Sequence, residues 1–363
     1  MKGFSMKKIN LKAAAVISAS AVLLVSCSAS GGATQAPAPG SEGNGLSGQL
    51  TLSSWGGSYS EAQETAMVGP FRTANPNVDL TVTDGNDEYA KIKLMVDSGN
   101  VGYDLVDSDP FFPIGNCGTY AEKIDTSIVD TSKMNPALVT ECAVPAIMWD
   151  FVLVYNKDKF KSNPPQNWAD FFDTVAFPGT RGVQDSALSG AYEIALMADG
   201  VAPEDVYPID FDRAFKKLDT LKSSITYWNT GAQSQQMLET DAVDMMLVWN
   251  GRAYNAAKNG ANIEVNWDKY LIAYNSFFVP KGAKNKDLAM EFIAFATSPK
   301  PQGVFQSLIP YPAVVSNAPK STGDDLFKSF LPNDNDTGLI IDQAWWAENM
   351  EEATTKWTAW TAG

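Results

Sequence analysis

The sequence contains no histidine. Its absence removes Ser-His-Asp and Cys-His catalysis and, with them, His-based zinc sites. Cysteine is nearly as scarce, at three residues. Positive charge is also thin, with 27 Lys and Arg against 42 Asp and Glu for a formal charge of −15. So acidic a chain is poorly suited to nucleic acid or to an anionic membrane surface. The apolar run Ala13–Val25 is too short, and wrongly flanked, for a stable spanning helix. What remains is 45% hydrophobic and 19% charged over 363 residues, a globular profile with room for two lobes. Nothing in the residue set calls for a metal or a cofactor.

The N-terminus reads as a targeting segment. Lys2, Lys7, Lys8 and Lys12 precede the apolar run, which ends in Leu24-Val-Ser-Cys27. The pattern resembles a lipoprotein signal over residues 1–26, cut before Cys27, whose thiol then takes a diacylglycerol. The alternative is a plain secretory signal with an incidental cysteine. Cleavage there removes the four lysines and no acid, taking the charge of −15 to −19. Residues 27–47, rich in Gly, Ala, Ser and Pro, form a flexible tether between lipid and domain. Gly43, Gly45 and Gly48 fit the dinucleotide fingerprint by letter, but they precede the first strand instead of following one. With Cys27 lipidated, Cys117 and Cys142 remain. In an oxidising compartment an even pair points to a disulfide, with two buried free thiols as the alternative.

Strands and helices alternate along the rest of the chain. Leu50–Ser53, Val78–Val82 and Tyr103–Val106 read as strands, with a Gly-rich turn at Trp55-Gly-Gly-Ser-Tyr59 and a helix over Asp87–Ser98. Ala146–Tyr155, interrupted by Asp150, and Leu271–Val279 are apolar runs that can carry the chain from one lobe to another and back. Between them the pattern repeats. Helices are expected from Asn167, over Leu188–Ala198, over Phe211–Leu221 capped by Asp210, and over Ser234–Glu239. Strands are expected at Gly182–Gln184 and Ile225–Trp228. Lys286–Ala296 is an amphipathic helix. Residues 322–363 form a helical tail whose Trp345, Trp346, Trp357 and Trp360 clamp it onto the lobes. This alternation predicts an α/β protein with mainly parallel sheets.

One stretch organises the reading, Asp244-Met-Met-Leu-Val-Trp-Asn-Gly-Arg-Ala-Tyr254. Met245–Val248 is apolar as a buried parallel strand is, and Asn250 can cap a helix starting at Gly251. Trp249 then stands at the carboxyl end of a strand, where open α/β sheets bind ligands. The plainer alternative makes Trp249 ordinary core.

The order Trp55-Gly-Gly-Ser-Tyr59, Tyr103-Asp-Leu-Val106, Asn167-Trp-Ala-Asp170, Trp249-Asn-Gly251, Pro280-Lys-Gly-Ala-Lys-Asn285 and Ile309-Pro-Tyr-Pro312 resembles the spermidine/putrescine-binding proteins of bacterial ABC importers. The resemblance covers essentially the whole mature chain. It implies a two-lobed periplasmic-binding-protein fold of type II, with a ligand cleft at a two-crossing hinge. The lobes would be residues 48–150 with 276–321, and residues 151–275. Together with the signal segment it points to an exported, lipid-anchored protein, expected to act as a monomer, that delivers a small amine to an ABC permease and is no enzyme. It also implies that Trp55, Tyr59, Trp249 and Tyr311 hold the ligand, since aromatic faces attract ammonium groups.

The departures bear on the ligand. Where polyamine binders carry carboxylates, this chain has Gly190, Arg252 and Asn275. Asp109 and Asp185 are candidate replacements, although Asp109 can be a turn former before Pro110 and Asp185 a helix cap. Asp150 at the hinge has the alternative of a solvated residue. Arg252 suits a carboxylate, unless it turns along its helix to Asp244 or to solvent. Two ligand classes follow, a polyamine or a zwitterionic ω-amino acid such as 4-aminobutyrate. A secreted enzyme on the same fold is the remote third possibility.

Overall fold

The computed structural model describes residues 45–85, 89–333 and 337–363. The signal segment, Cys27 and most of the tether lie outside them, and Ser47 already belongs to the first strand. The strands are β1 Ser47–Ser54, β2 Asn77–Asp84, β3 Leu105–Ser108, β4 Val144–Asn156, β5 Arg181–Gln184, β6 Ile225–Trp228, β7 Met245–Trp249, β8 Ile263–Phe278 and β9 Leu339–Ile340. They form one sheet in the order β2-β1-β3-β8-β4-β7-β5-β6, with β9 paired to β8. β1 runs parallel to β2 and β3, and β5 parallel to β6 and β7. The two parallel trios stand on opposite sides of the paired β8 and β4. The two apolar runs expected to cross are the middle of β4 and the end of β8, which pair antiparallel along nearly their whole lengths. β8 hands off to β3 at Phe278–Val106, and β4 to β7 at Phe151–Trp249. The mainly parallel sheets predicted from sequence are therefore joined by an antiparallel ribbon.

Local chemistry accounts for the helices. In Lys286–Ala296 the side chains of Leu288, Ala289, Phe292, Ile293 and Ala296 are buried on one stripe. Phe292 meets Phe71 and Phe277 edge-on at 5.1 and 6.1 Å. The helix Phe211–Leu218 starts where the Asp210 carboxylate accepts from the Arg213 amide, and it ends one turn before Leu221. The helix expected from Leu188 begins only at Ala191, because Gly190 takes φ 76° there.

The tail helix Gln343–Ala362 starts on the Asp342 carboxylate, which accepts from the Ala344 and Trp345 amides. Trp346 and Trp357 are buried against Tyr192, with ring centroids at 6.3 and 5.6 Å. The Nε1–H groups of Trp357 and Trp360 donate to Asp185 and Asp219 at 2.9 and 2.8 Å. The tail packs as a clamp on the segment that contains β5 and β6 and on the short helix Phe111–Gly115, where a Cβ on Gly115 would stand 3.3 Å from Ala347. No described helix is long and apolar enough to cross a membrane.

Cys117 and Cys142 are bonded, with Cα atoms 5.4 Å apart and a sequence separation of 25. Alkylation without reductant is expected to label neither thiol. Replacing both by serine should lower stability by about 3 kcal/mol, from chain entropy restored to the unfolded state. Urea unfolding of the two proteins measures the difference.

Candidate functional site

A cavity of about 590 Å³ lies at the crossing of the strands. Its frame begins with Asp107 in β3, a carboxylate with no solvent exposure. Asp107 accepts hydrogen bonds from Trp55 Nε1 at 3.3 Å, Tyr59 OH at 2.7 Å and Gln63 Nε2 at 2.6 Å. Tyr59 OH also accepts from Asn275 Nδ2 at 3.2 Å, and Asn275 Oδ1 accepts from Trp149 Nε1 at 2.8 Å. One polar chain thus fixes three aromatic rings and Asn275 on the cavity wall. Burial raises the Asp107 carboxyl to about 7, against the lowering effect of its donors. Burial and the adjacent Asp107 hold the Tyr59 hydroxyl well above its usual range.

The opposite wall comes from β7 and the helix after it. Met245–Val248 are buried between β4 and β5, and the strand delivers Trp249 to the cavity. Its ring meets Trp228 at 5.2 Å and Trp149 at 5.5 Å, both edge-on. Trp249 is half-buried, at once a packed ring and a wall of the cleft. Asn250 is the first residue of the helix Asn250–Lys258 and not its cap. Its side chain accepts from the Asp150 amide at 3.1 Å and donates to the carbonyls of Pro310 and Phe330 at 2.7 and 3.1 Å. This ties the hinge strand and the Tyr311 loop to the turn. Asp150 is buried and not solvated, and burial pushes its carboxyl well above the ordinary range.

Arg252 lies in the first helical turn and lines the cavity. Its Nη1 donates to Ser58 Oγ at 3.1 Å, across to the helix Gly57–Gln63. It does not turn to Asp244, whose carboxylate pairs with Lys159 at 2.7 Å and accepts from the Thr180 amide. Gly231 leaves room for it. A Cβ there would collide with the Arg252 guanidinium and stand 2.9 Å from the Trp249 ring. Tyr311 is buried beside it, and its hydroxyl is pushed up to about 12 by burial, with Arg252 lowering and Asp150 raising it.

Of the residues singled out from sequence, Trp55, Tyr59, Asp109, Trp249, Arg252, Asn275 and Tyr311 all line this cavity. Asp109 accepts from Tyr89 OH at 2.8 Å, and the following short helix has no side-chain cap. Asp185 stands apart. It neither lines the cavity nor caps the helix at Ala191, and its carboxylate holds Trp357 of the tail. The missing acid at 190 has a steric cause, because a Cβ there would stand 2.5 Å from Leu271 Cδ1. Sequence reasoning passed over Asp84, Tyr89 and Trp149, which also line the cavity, and Asp107 behind it. For Asp107 a signal existed, an acid inside the apolar strand Leu105-Val-Asp-Ser108. The site offers aromatic faces, one guanidinium and a few carboxylates, a set that binds and orients a small charged solute.

Residues 66–329 match the bacterial extracellular solute-binding proteins. The chain is 35% identical over 324 residues to the gamma-aminobutyric acid-binding protein of Pseudomonas aeruginosa, covering 86% of this chain and 91% of that one. It is 25% identical over 236 residues to the spermidine/putrescine-binding periplasmic protein of Escherichia coli K12, covering 62% and 66%. Among solved structures it is similar to the Atu4243 GABA receptor, with a TM-score of 0.80 at 37% identity over 86% of this chain and 98% of that one. The polyamine-binding likeness read from the motifs is thus present but distant. The chain belongs to the bacterial extracellular solute-binding proteins, the two-lobed ligand-binding components of ABC importers, and is not an enzyme.

Proposed function

We propose that this protein captures a zwitterionic ω-amino acid of the 4-aminobutyrate type and presents it to its permease. The observation that carries this is Arg252, the one Lys or Arg among the described residues that line the cleft. A guanidinium beside backbone N–H groups of a helix start suits a carboxylate. The ammonium end goes to the aromatic and acidic side, lined by Asp109, Trp149 and Tyr59. The names of the gamma-aminobutyric acid-binding relative and of the GABA receptor structure support the same class. A polyamine would set a like charge against Arg252 and would find Gly190 and Asn275 where polyamine binders carry acids. In its favour stand Asp84 and Asp109 in the cleft and the distant polyamine-binding relative.

Residues 48–150 with 276–321 and residues 151–275 are the lobes in this proposal, closing on the ligand about β4 and β8. Cys27 carries the lipid that holds the monomer at the membrane. Thermal unfolding across a ligand panel tests the ligand class. At 100 times its Kd, 4-aminobutyrate should stabilise the protein by about 2.7 kcal/mol. A response to spermidine or putrescine alone would hand the site to the polyamine reading. Trp249→Ala should weaken ligand binding by about 1–3 kcal/mol through lost stacking and apolar contact. Unchanged affinity in calorimetry would make the ring mere packing.

A further inference from the structure

Next to the main cleft lies a second, small cavity of about 20 Å³, room for one water-sized group. The two share Asp109, Trp149, Phe151 and Leu188 among their lining side chains. The small cavity also reaches Glu193, fully buried on the helix Ala191–Ala198, and Gln343 at the start of the tail helix. Glu193 Oε1 accepts from Tyr207 OH at 2.6 Å and Trp346 Nε1 at 3.1 Å. Its Oε2 has no hydrogen-bond partner among the described residues, and neither has Gln343 Oε1. The Tyr207 and Trp346 donors are spent on Oε1. With Glu193 ionised, both unpartnered atoms are acceptors, and a guest that suits this annex donates hydrogen bonds.

We infer that the annex receives the primary ammonium group of the ligand, paired with Glu193 Oε2 and Gln343 Oε1. This rests on the ω-amino acid reading and locates the cationic end of that solute. Two features favour a cation over a neutral donor. Glu193 supplies a counter-ion, without which a buried charge is costly. The rings of Trp149, Phe151, Tyr274 and Trp346 line the annex, and aromatic faces attract cations. Burial holds the Glu193 carboxyl above its usual range, and a cation against Oε2 would favour its ionised form. Size adds a selectivity that an open aromatic box lacks. A primary ammonium fits a space for one water-sized group, whereas a trimethylammonium does not.

Calorimetry with 4-aminobutyrate and its N,N,N-trimethyl derivative tests this on the parent protein, Glu193→Gln and Tyr207→Phe. The parent should bind the primary amine at least about tenfold more tightly than the trimethyl form. Glu193→Gln should lose at least about tenfold for the primary amine and under about threefold for the trimethyl form. Tyr207→Phe, which removes a hydrogen bond to Oε1 but no annex acceptor, should change either affinity by less than about threefold. Equal parent affinity for the two ligands overturns the inference. Unchanged binding by Glu193→Gln also overturns it and leaves solvent as the annex's occupant. An equal loss in Tyr207→Phe would make Glu193 structural and overturn it as well. If Glu193→Gln does not fold, the comparison of the two ligands on the parent decides. A parent that binds neither ligand removes the ω-amino acid reading and this inference with it.

Discussion

Asp107→Ala should destabilise the protein by roughly 2–4 kcal/mol at pH 7 and weaken ligand binding at least about tenfold. The carboxylate is the shared acceptor for Trp55 Nε1, Tyr59 OH and Gln63 Nε2; Tyr59, Gln63 and Asp107 itself are buried, and Trp55 is half-buried. Orphaning a buried donor costs about 1–3 kcal/mol, offset here by no longer burying an acid. The binding loss has a separate origin. Trp55 and Tyr59 line the cleft in orientations that Asp107 fixes, and without it their order must be imposed by the ligand. The pH dependence adds a signature. The folded value of about 7 lies above the unfolded value near 4, so the folded state holds this proton more tightly. The contribution is fully present below about pH 4 and is lost as the pH rises through about 7, on the order of 4 kcal/mol in all. About 2–3 kcal/mol of it falls between pH 5 and 8. Buried Asp150 and Glu193 push in the same direction, so the difference between parent and Asp107→Asn isolates Asp107. Urea midpoints at four pH values measure it. A difference that stays flat from pH 5 to 8 would show that Asp107 keeps its ordinary acidity.

Sequence made some elements plain and hid others for physical reasons. Ile225–Trp228 and Lys286–Ala296 have the predicted boundaries, because a short β-branched and aromatic run and a 3.6-residue apolar stripe are local signals. β8 begins at Ile263, eight residues before the apolar run that gave it away. Asn266, Asp268 and Lys269 break the pattern there, in a part of the strand that is largely exposed. Lining residues next to turn motifs were legible, since Trp55, Tyr59, Trp249 and Tyr311 each sit in a short recognisable sequence. Roles that depend on distant partners were not. By sequence Asp185 looks like a ligand or cap residue, because its partner, Trp357, lies 172 residues further on. Asp107 went unread because its donors lie 44 to 52 residues away. Asn250 looked like a cap, as Asn at a strand-to-helix turn usually is. In the fold its side chain is taken by two carbonyls and an amide from other segments.

Arg252→Asp should reverse the sign of the ligand preference. The guanidinium donates to Ser58 Oγ and has the room beside it that Gly231 leaves, so its charge stands in the cleft. A charge-assisted bond to a ligand carboxylate contributes about 1.5–3 kcal/mol, and an aspartate there adds repulsion. Loss of 4-aminobutyrate affinity should therefore reach at least about a hundredfold. The same change removes the like charge that a diamine would meet. It also creates, in the cavity that Asn275 and the aromatic rings line, the kind of carboxylate that polyamine binders use. Putrescine affinity should rise in the variant, while the fold around it stays intact, since Arg252 makes no ion pair among the described residues. Ser58→Ala serves as the control. It removes the hydrogen bond that orients the guanidinium but keeps its charge, and should cost 4-aminobutyrate less than about tenfold. Calorimetry on the three proteins with both ligands gives the result. A parent that binds putrescine tightly and ignores 4-aminobutyrate would show that Arg252 selects no carboxylate, and the acids at Asp84 and Asp109 would then set the specificity instead.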